Sequence, residues 1–278
     1  MKKLPWILLA LLIIGVSISA SGNKSGKKKC CHKTCTKNST TLSTMTKNGI
    51  TLTELYSPES FSTSGLKNTG QPTSEELDSN KLHLKFDVAN FQLGSQTDRT
   101  GLKTCSNSDK GQHIHCIVDN EPYTAQYAAD FSVGVKPGFH TVLCFLSRSY
   151  HESVKNKNAY AIQNVITGIE RYTARYANRD LTKPLLFYSR PKGEYKGTEA
   201  ASVLLDFYLV NCDLSENGYK VKAEINGTEF MITKWAPYFM EGLPMGENTI
   251  KLTLLDSKGQ MVDSYFSTVE RKITLKAS

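Results

Sequence analysis

An internal repeat constrains this 278-residue chain more than any other feature. The run Gly111-Gln-His-Ile-His-Cys-Ile-Val-Asp-Asn-Glu-Pro-Tyr123 aligns without gaps to Gly218-Tyr-Lys-Val-Lys-Ala-Glu-Ile-Asn-Gly-Thr-Glu-Phe230. Phe131-x-x-Gly134 and Gly138-x-x-Thr141 match Phe239-x-x-Gly242 and Gly246-x-x-Thr249. Phe86-Asp-Val-Ala-Asn-Phe-Gln-Leu93 matches Phe207-Tyr-Leu-Val-Asn-Cys-Asp-Leu214. The chain is therefore two copies of one module, each of about 100 residues, large enough for a sandwich core of its own. The copies differ where chemistry could sit. His113, His115 and His140 of the first stand opposite Lys220, Lys222 and Asn248 of the second.

The periodicity of both copies is that of strands. In Tyr219-Lys-Val-Lys-Ala-Glu-Ile225, charged residues alternate with Val221, Ala223 and Ile225, so one face is buried and the other wet. Asn226-Gly227 follows as a tight hairpin signal. Transferred to the first copy, this register points Ile114, Cys116 and Val118 inward. It places His113, His115 and Ile117 on the wet face. Ile250, Leu252 and Leu254 point inward in a later strand, as do their counterparts Val142, Cys144 and Leu146. Helical periodicity is scarce. The expected fold is all-β, with two tandem immunoglobulin-like β-sandwich modules at 50–168 and 185–278, joined by a linker at 169–184 that could hold a short helical turn. Both modules are expected to open alike, with Thr51–Tyr56 equivalent to Leu185–Pro191.

The N-terminus reads as an address. Lys2 and Lys3, the apolar run Trp6–Val16 and the small residues Ser17–Gly22 form an export signal or N-terminal anchor over 1–22. Residues 23–49 are rich in Lys, Ser, Thr and Cys and read as a flexible tether. The net charge of +8 belongs to this end: the first 40 residues hold eight lysines and no acid, leaving 26 of the 34 Lys and Arg residues against 26 acids. The modules have no excess positive field to draw in a nucleic acid. The expected location is the periplasm, cell envelope or exterior, with membrane association only through the N-terminus.

Seven cysteines in an exported chain suggest disulfides and leave at least one thiol over. Cys116 and Cys144 both face the core of the first module. They either pair, if their strands oppose one another, or fill core positions as free thiols. Cys30, Cys31 and Cys35 cluster in the tether with His32, in a spacing that matches no standard zinc pattern.

Two constellations are candidate sites. His113-x-His115 sets two imidazoles side by side on one strand, where they could share a metal ion with His140 or His151. Ser147-Arg-Ser-Tyr-His-Glu152 and Ser189-Arg-Pro-Lys192 offer donors for an anion or peptide: Arg148, Tyr150, His151, Arg190 and Lys192. The long loop Gly94–Lys110, longer than its counterpart, is a further place for function. Gly-x-Ser-x-Gly, phosphate-cradling Gly-Lys-Ser/Thr and His-Glu-x-x-His are all missing, so no residue is assigned a catalytic role.

His113–His115 in its Gly111-Gln-His-Ile-His context, Asp119-Asn-Glu-Pro-Tyr-Thr-Ala125, Phe145–Lys155, Phe187–Tyr195, Asp206–Leu214 and Glu241–Thr249 together resemble a family of exported bacterial envelope proteins, many of them lipoproteins, that go by the description phosphopeptide-binding protein. The resemblance covers about residues 50–278. The tandem sandwich, the export signal and the missing enzyme motifs point to a non-catalytic binding protein whose expected partner is an envelope protein, peptide or glycan. Ser21 stands where a lipoprotein would carry its lipidated cysteine. The first reading is thus a binding module without a cofactor, and the alternative is a protein holding one copper or zinc ion through His113, His115 and His140.

Overall fold

The computed structural model describes residues 42–57, 60–100, 102, 106–168 and 179–277. The signal segment, nearly all of the tether with Cys30, Cys31 and Cys35, Cys105, and the linker residues 169–178 lie outside the described residues. Among the described residues no helix is long and apolar enough to cross a membrane.

The protein is all-β. In chain order the first strands are β1 (Thr44–Lys47), β2 (Ile50–Glu54), β3 (Gly65–Asn68), β4 (Lys81–Ala89), β5 (His113–Val118), β6 (Thr124–Gln126), β7 (Asp130–Gly134), β8 (Gly138–Ser147) and β9 (Tyr160–Thr167). One short helix, α1 (Ser74–Asp78), lies between β3 and β4. Its start is a reciprocal cap: the Glu76 amide donates to Thr73 Oγ1 and the Thr73 amide to the Glu76 carboxylate. The second half holds β10 (Leu185–Arg190), β11 (Gly193–Lys196), β12 (Val203–Val210), β13 (Lys220–Ile225), β14 (Thr228–Ile232), β15 (Tyr238–Glu241), β16 (Gly246–Leu255) and β17 (Thr268–Lys276).

The repeat is visible in the topology. The sheet β6-β5-β8-β9 of the first module has the same order as β14-β13-β16-β17 of the second. Its partner sheet β3-β4-β7 matches β10-β12-β15. Each pair of sheets encloses an apolar core, Leu82, Leu84, Ile114 and Leu146 in the first module and Leu205, Phe207, Val221 and Leu252 in the second.

The opening of the first module differs from the expectation. The strand that pairs with β4, as β10 pairs with β12, is β3, not the Thr51–Tyr56 segment. That segment contributes β2, which runs antiparallel to β15 of the second module (Leu52 opposite Met240), and β1 extends the same sheet. The reason is apolar burial: Ile50 and Leu52 fill the second module's core, and pairing covers an edge that β15 would otherwise expose.

The inward register holds. Ile114, Cys116, Val142, Cys144 and Leu146 are buried in the first core, and Val221, Ala223 and Ile225 in the second. The expectation of a wet outer face fails for β5. His113, His115 and Ile117 are each fully buried. The outer face of β5 and β8 packs on the outer face of β10 and β12: Ile117, Leu143 and Phe145 form a third core with Leu185, Phe187, Tyr208 and Val210. Phe145 stacks on Tyr208 with ring centroids 4.5 Å apart. Each such side chain contributes about 2 kcal/mol of apolar burial, which fixes the two modules against each other.

Cys116 and Cys144 sit directly opposite each other on β5 and β8. Both are buried with free thiols, and burial holds the Cys144 thiol well above its ordinary pKa.

Candidate metal centre

The face of β5 that the second module covers carries the polar cluster. Period two along β5 aligns His113 and His115, and their Nε2 atoms stand 2.9 Å apart. The third member comes from the turn after β8, where His151 Nδ1 lies 3.1 Å from His113 Nε2. All three ligand atoms fall within 4.8 Å of one another. A tetrahedral zinc ion with three imidazoles at 2.0–2.1 Å separates their nitrogens by roughly 3.3 Å, so small ring movements would admit an ion.

The ring nitrogens that face away are anchored. His113 Nδ1–H donates to the Gly111 carbonyl at 2.8 Å, which leaves His113 Nε2 as a lone pair aimed into the cluster. Gly111 has φ +81°, and a Cβ there would lie 2.3 Å from the Gly94 carbonyl oxygen, so only glycine presents its carbonyl in this way. The long loop contributes here by packing Gly94 and Ser95 against Gly111 and Gln112. His115 Nδ1 lies 3.2 Å from Ser189 Oγ. A bulge between Tyr188 and Arg190 of β10 turns Ser189 toward that ring.

The turn that holds His151 is fastened on two sides. His151 has φ +70°, a rare conformation for a residue with a side chain, and its amide donates to the Arg148 carbonyl at 2.9 Å. Fully buried Asp206 of β12 accepts from the Ser153 amide (3.1 Å), Ser153 Oγ (3.0 Å) and Lys155 Nζ (2.5 Å). On the other side Glu152 takes Arg148, Tyr150 Oη (2.8 Å) and Ser57 Oγ (2.7 Å).

Tyr123 closes the cluster. Its ring stacks on His115 with centroids 3.5 Å apart, and its hydroxyl lies 3.2 Å from His151 Nδ1. Lys192 Nζ sits 3.8 Å from the Tyr123 ring centroid and donates to the Tyr123 carbonyl at 2.7 Å. The Arg190 guanidinium is 5.6 Å from the same ring and donates to Tyr195 Oη at 2.9 Å.

These surroundings keep the imidazoles neutral. Burial pulls the His113 pKa down to about 4 and that of His151 to about 2, and the charge of Arg190 adds to both effects. His115 is also pushed well below the ordinary value, first by burial and then by its two histidine neighbours. Neutral imidazole is the form that binds a metal, and these three retain it far into the acid range.

The structure separates the expected site residues into three places. His113, His115 and His151 converge, with Arg190 and Lys192 beside them. His140 does not join them: its Nδ1 contacts Asp119 Oδ2 at 2.6 Å and its Nε2 donates to the Lys136 carbonyl at 2.7 Å. Arg148 and Tyr150 are committed to Glu152 and do not face the histidines as part of an anion site. Sequence reasoning missed Gly111, Tyr123 and Ser189 as supports. For Tyr123 the signal existed, since Phe230 occupies its position in the second copy and lacks the hydroxyl.

No protein-family model matches this chain, and no curated protein matches it. Among solved structures it is similar to fibronectin(III)-like modules of Clostridium thermocellum CbhA, at 10% identity and TM-score 0.27 over 71% of this chain and 86% of that one. It is similar to the two tandem V-type regions of the chitin-binding protein VCBP3, at 8% identity and TM-score 0.22 over 70% and 92%. A third likeness is to the mixed-linkage glucan utilization protein SGBP-B of Bacteroides ovatus, at 9% identity and TM-score 0.22 over 83% and 71%. Similarity at this level assigns no function.

Proposed function

We propose that this is an exported, non-catalytic β-sandwich protein whose binding site is a three-histidine centre for one copper or zinc ion. The observation that carries the reading is the convergence of His113 Nε2, His115 Nε2 and His151 Nδ1 on one point, with the first two residues fully buried and His151 half-buried. Imidazole sets suit copper and zinc. The Gly111 carbonyl fixes the His113 ring as outer-shell acceptors do in metal sites, and Ser189 Oγ can accept from His115 Nδ1 in the same way. The ion would be held where the two modules meet, between β5 and the β8 turn on one side and β10 on the other. Arg148 and Tyr150 are both held by Glu152 on the Ser147–Glu152 turn.

The test is elemental analysis and metal titration of the purified full chain, produced without a His tag or chelators. The expected result is about one equivalent of copper or zinc, lost in His113→Ala and His151→Ala and kept in His140→Ala. A folded wild-type protein that takes up neither metal overturns the reading.

A further inference from the structure

Two cations beside a three-imidazole metal site need an explanation. Arg190 is 7% exposed, its Nε has no hydrogen-bond partner, and among the described residues no carboxylate pairs with it. Lys192 is half-buried and also lacks a carboxylate partner among the described residues. A guanidinium removed from water without an anion is costly. A divalent ion held by three neutral imidazoles would add two further positive charges to the same enclosed region, and among the described residues no carboxylate pairs with Arg190 or Lys192 to offset them. Buried Arg–carboxylate pairs elsewhere in this protein show the alternative, as Arg148 with Glu152 does. Arg190 has no such partner among the described residues, and its guanidinium lies 5.6 Å from the ring of Tyr123, which stacks on His115 and sets its hydroxyl 3.2 Å from His151 Nδ1.

Three protein ligands leave a fourth position open on a tetrahedral ion. We propose that a small free anion takes that position, held by the Arg190 guanidinium with the help of the Lys192 ammonium. The proposal deepens the metal reading and rests on it. The geometry favours a small guest: His113 and His115 are fully buried, Tyr123 stacks on His115, and His151 is half-buried. The anion would lie between a metal ion and a guanidinium, as a carboxylate lies between two cations. A guanidinium presents a planar set of N–H donors that favours an oxyanion such as formate or carbonate, while a linear monoanion such as azide serves as a visible probe.

The experiment loads the full chain with copper(II) and titrates azide, following the azide-to-copper charge-transfer absorption, with formate as competitor. The expected result is saturable azide binding, displaced by formate, with the azide Kd raised at least tenfold in Arg190→Gln and severalfold in Lys192→Met. Copper content and circular dichroism confirm that each variant is folded and loaded. If Arg190→Gln does not fold, Lys192→Met carries the comparison, because that side chain is only half-buried. Copper-loaded wild type that binds no azide, or binds it as tightly in the folded variants, overturns the anion site and leaves the metal centre standing. Failure to bind copper at all removes both.

Discussion

Acid should unfold the metal-free protein through its histidines, and the size of the effect follows from their burial. His113 has a folded pKa of about 4 against 6.5 when unfolded. The unfolded chain therefore binds more protons between these values, so stability is present above pH 6.5 and is lost as pH falls toward 4. Between pH 7 and pH 5 this one residue removes about 2 kcal/mol, and over its full range about 3 kcal/mol, at 1.36 kcal/mol per unit. His151, with a pKa near 2, acts in the same direction, and so does His115. Two such residues take away about 4 kcal/mol by pH 5, a large share of the 5–15 kcal/mol that holds a typical protein folded. Urea unfolding of the chelator-treated chain at pH 7 and pH 5 reads this directly, with fluorescence of Trp235, which packs edge-on against Tyr208. His113→Gln cannot titrate there, so its loss between the two pH values should be smaller than wild type by about 2 kcal/mol. Carboxylate contributions are shared by both proteins and cancel. An equal pH dependence in wild type and His113→Gln refutes the claim that His113 is buried and neutral.

Other perturbations separate the roles of the surrounding residues. Ser189→Ala should leave the fold intact and weaken copper or zinc binding by about tenfold or more, measured by competition with a chromogenic chelator, because it removes the partner of His115 Nδ1. Asp206→Asn should cost about 3–5 kcal/mol in urea unfolding, since it leaves Lys155 without its buried anion, and should also weaken metal binding by releasing the His151 turn. Phe145→Ala should cost about 3–5 kcal/mol and loosen the modules from each other, seen as faster hydrogen exchange along both β5 and β10.

The repeat made most of the fold legible. Strand register, the Asn226-Gly227 hairpin and the inward residues of both copies follow from period two and turn chemistry, which are local properties. The role of Ile50–Glu54 was not legible, because a strand pattern states that a segment will pair and not with which distant edge. The convergence of His151 on the β5 histidines was half legible: two residues apart on one strand is a sequence property, while a turn returning from β8 is a tertiary one.

The buried outer face was written in the sequence in a form that period two alone does not reveal. Along the outer face of β13 and β16 the second copy carries Lys220, Lys222, Glu224, Lys251 and Thr253. At the same positions the first copy carries His113, His115, Ile117, Leu143 and Phe145. Charge replaced by aliphatic and aromatic side chains means that water has been replaced by protein, and Leu185, Phe187 and Tyr208 supply that protein. The two histidines on that face are then no longer solvated strand residues, as their lysine counterparts suggest, but polar groups that must find partners inside a dry contact. Gly111, Ser189 and Tyr123 meet part of that demand, and the nitrogens that remain all point at one another. Both copies have the same strand, and docking against β10 and β12 buried the outer face of one of them together with its two histidines.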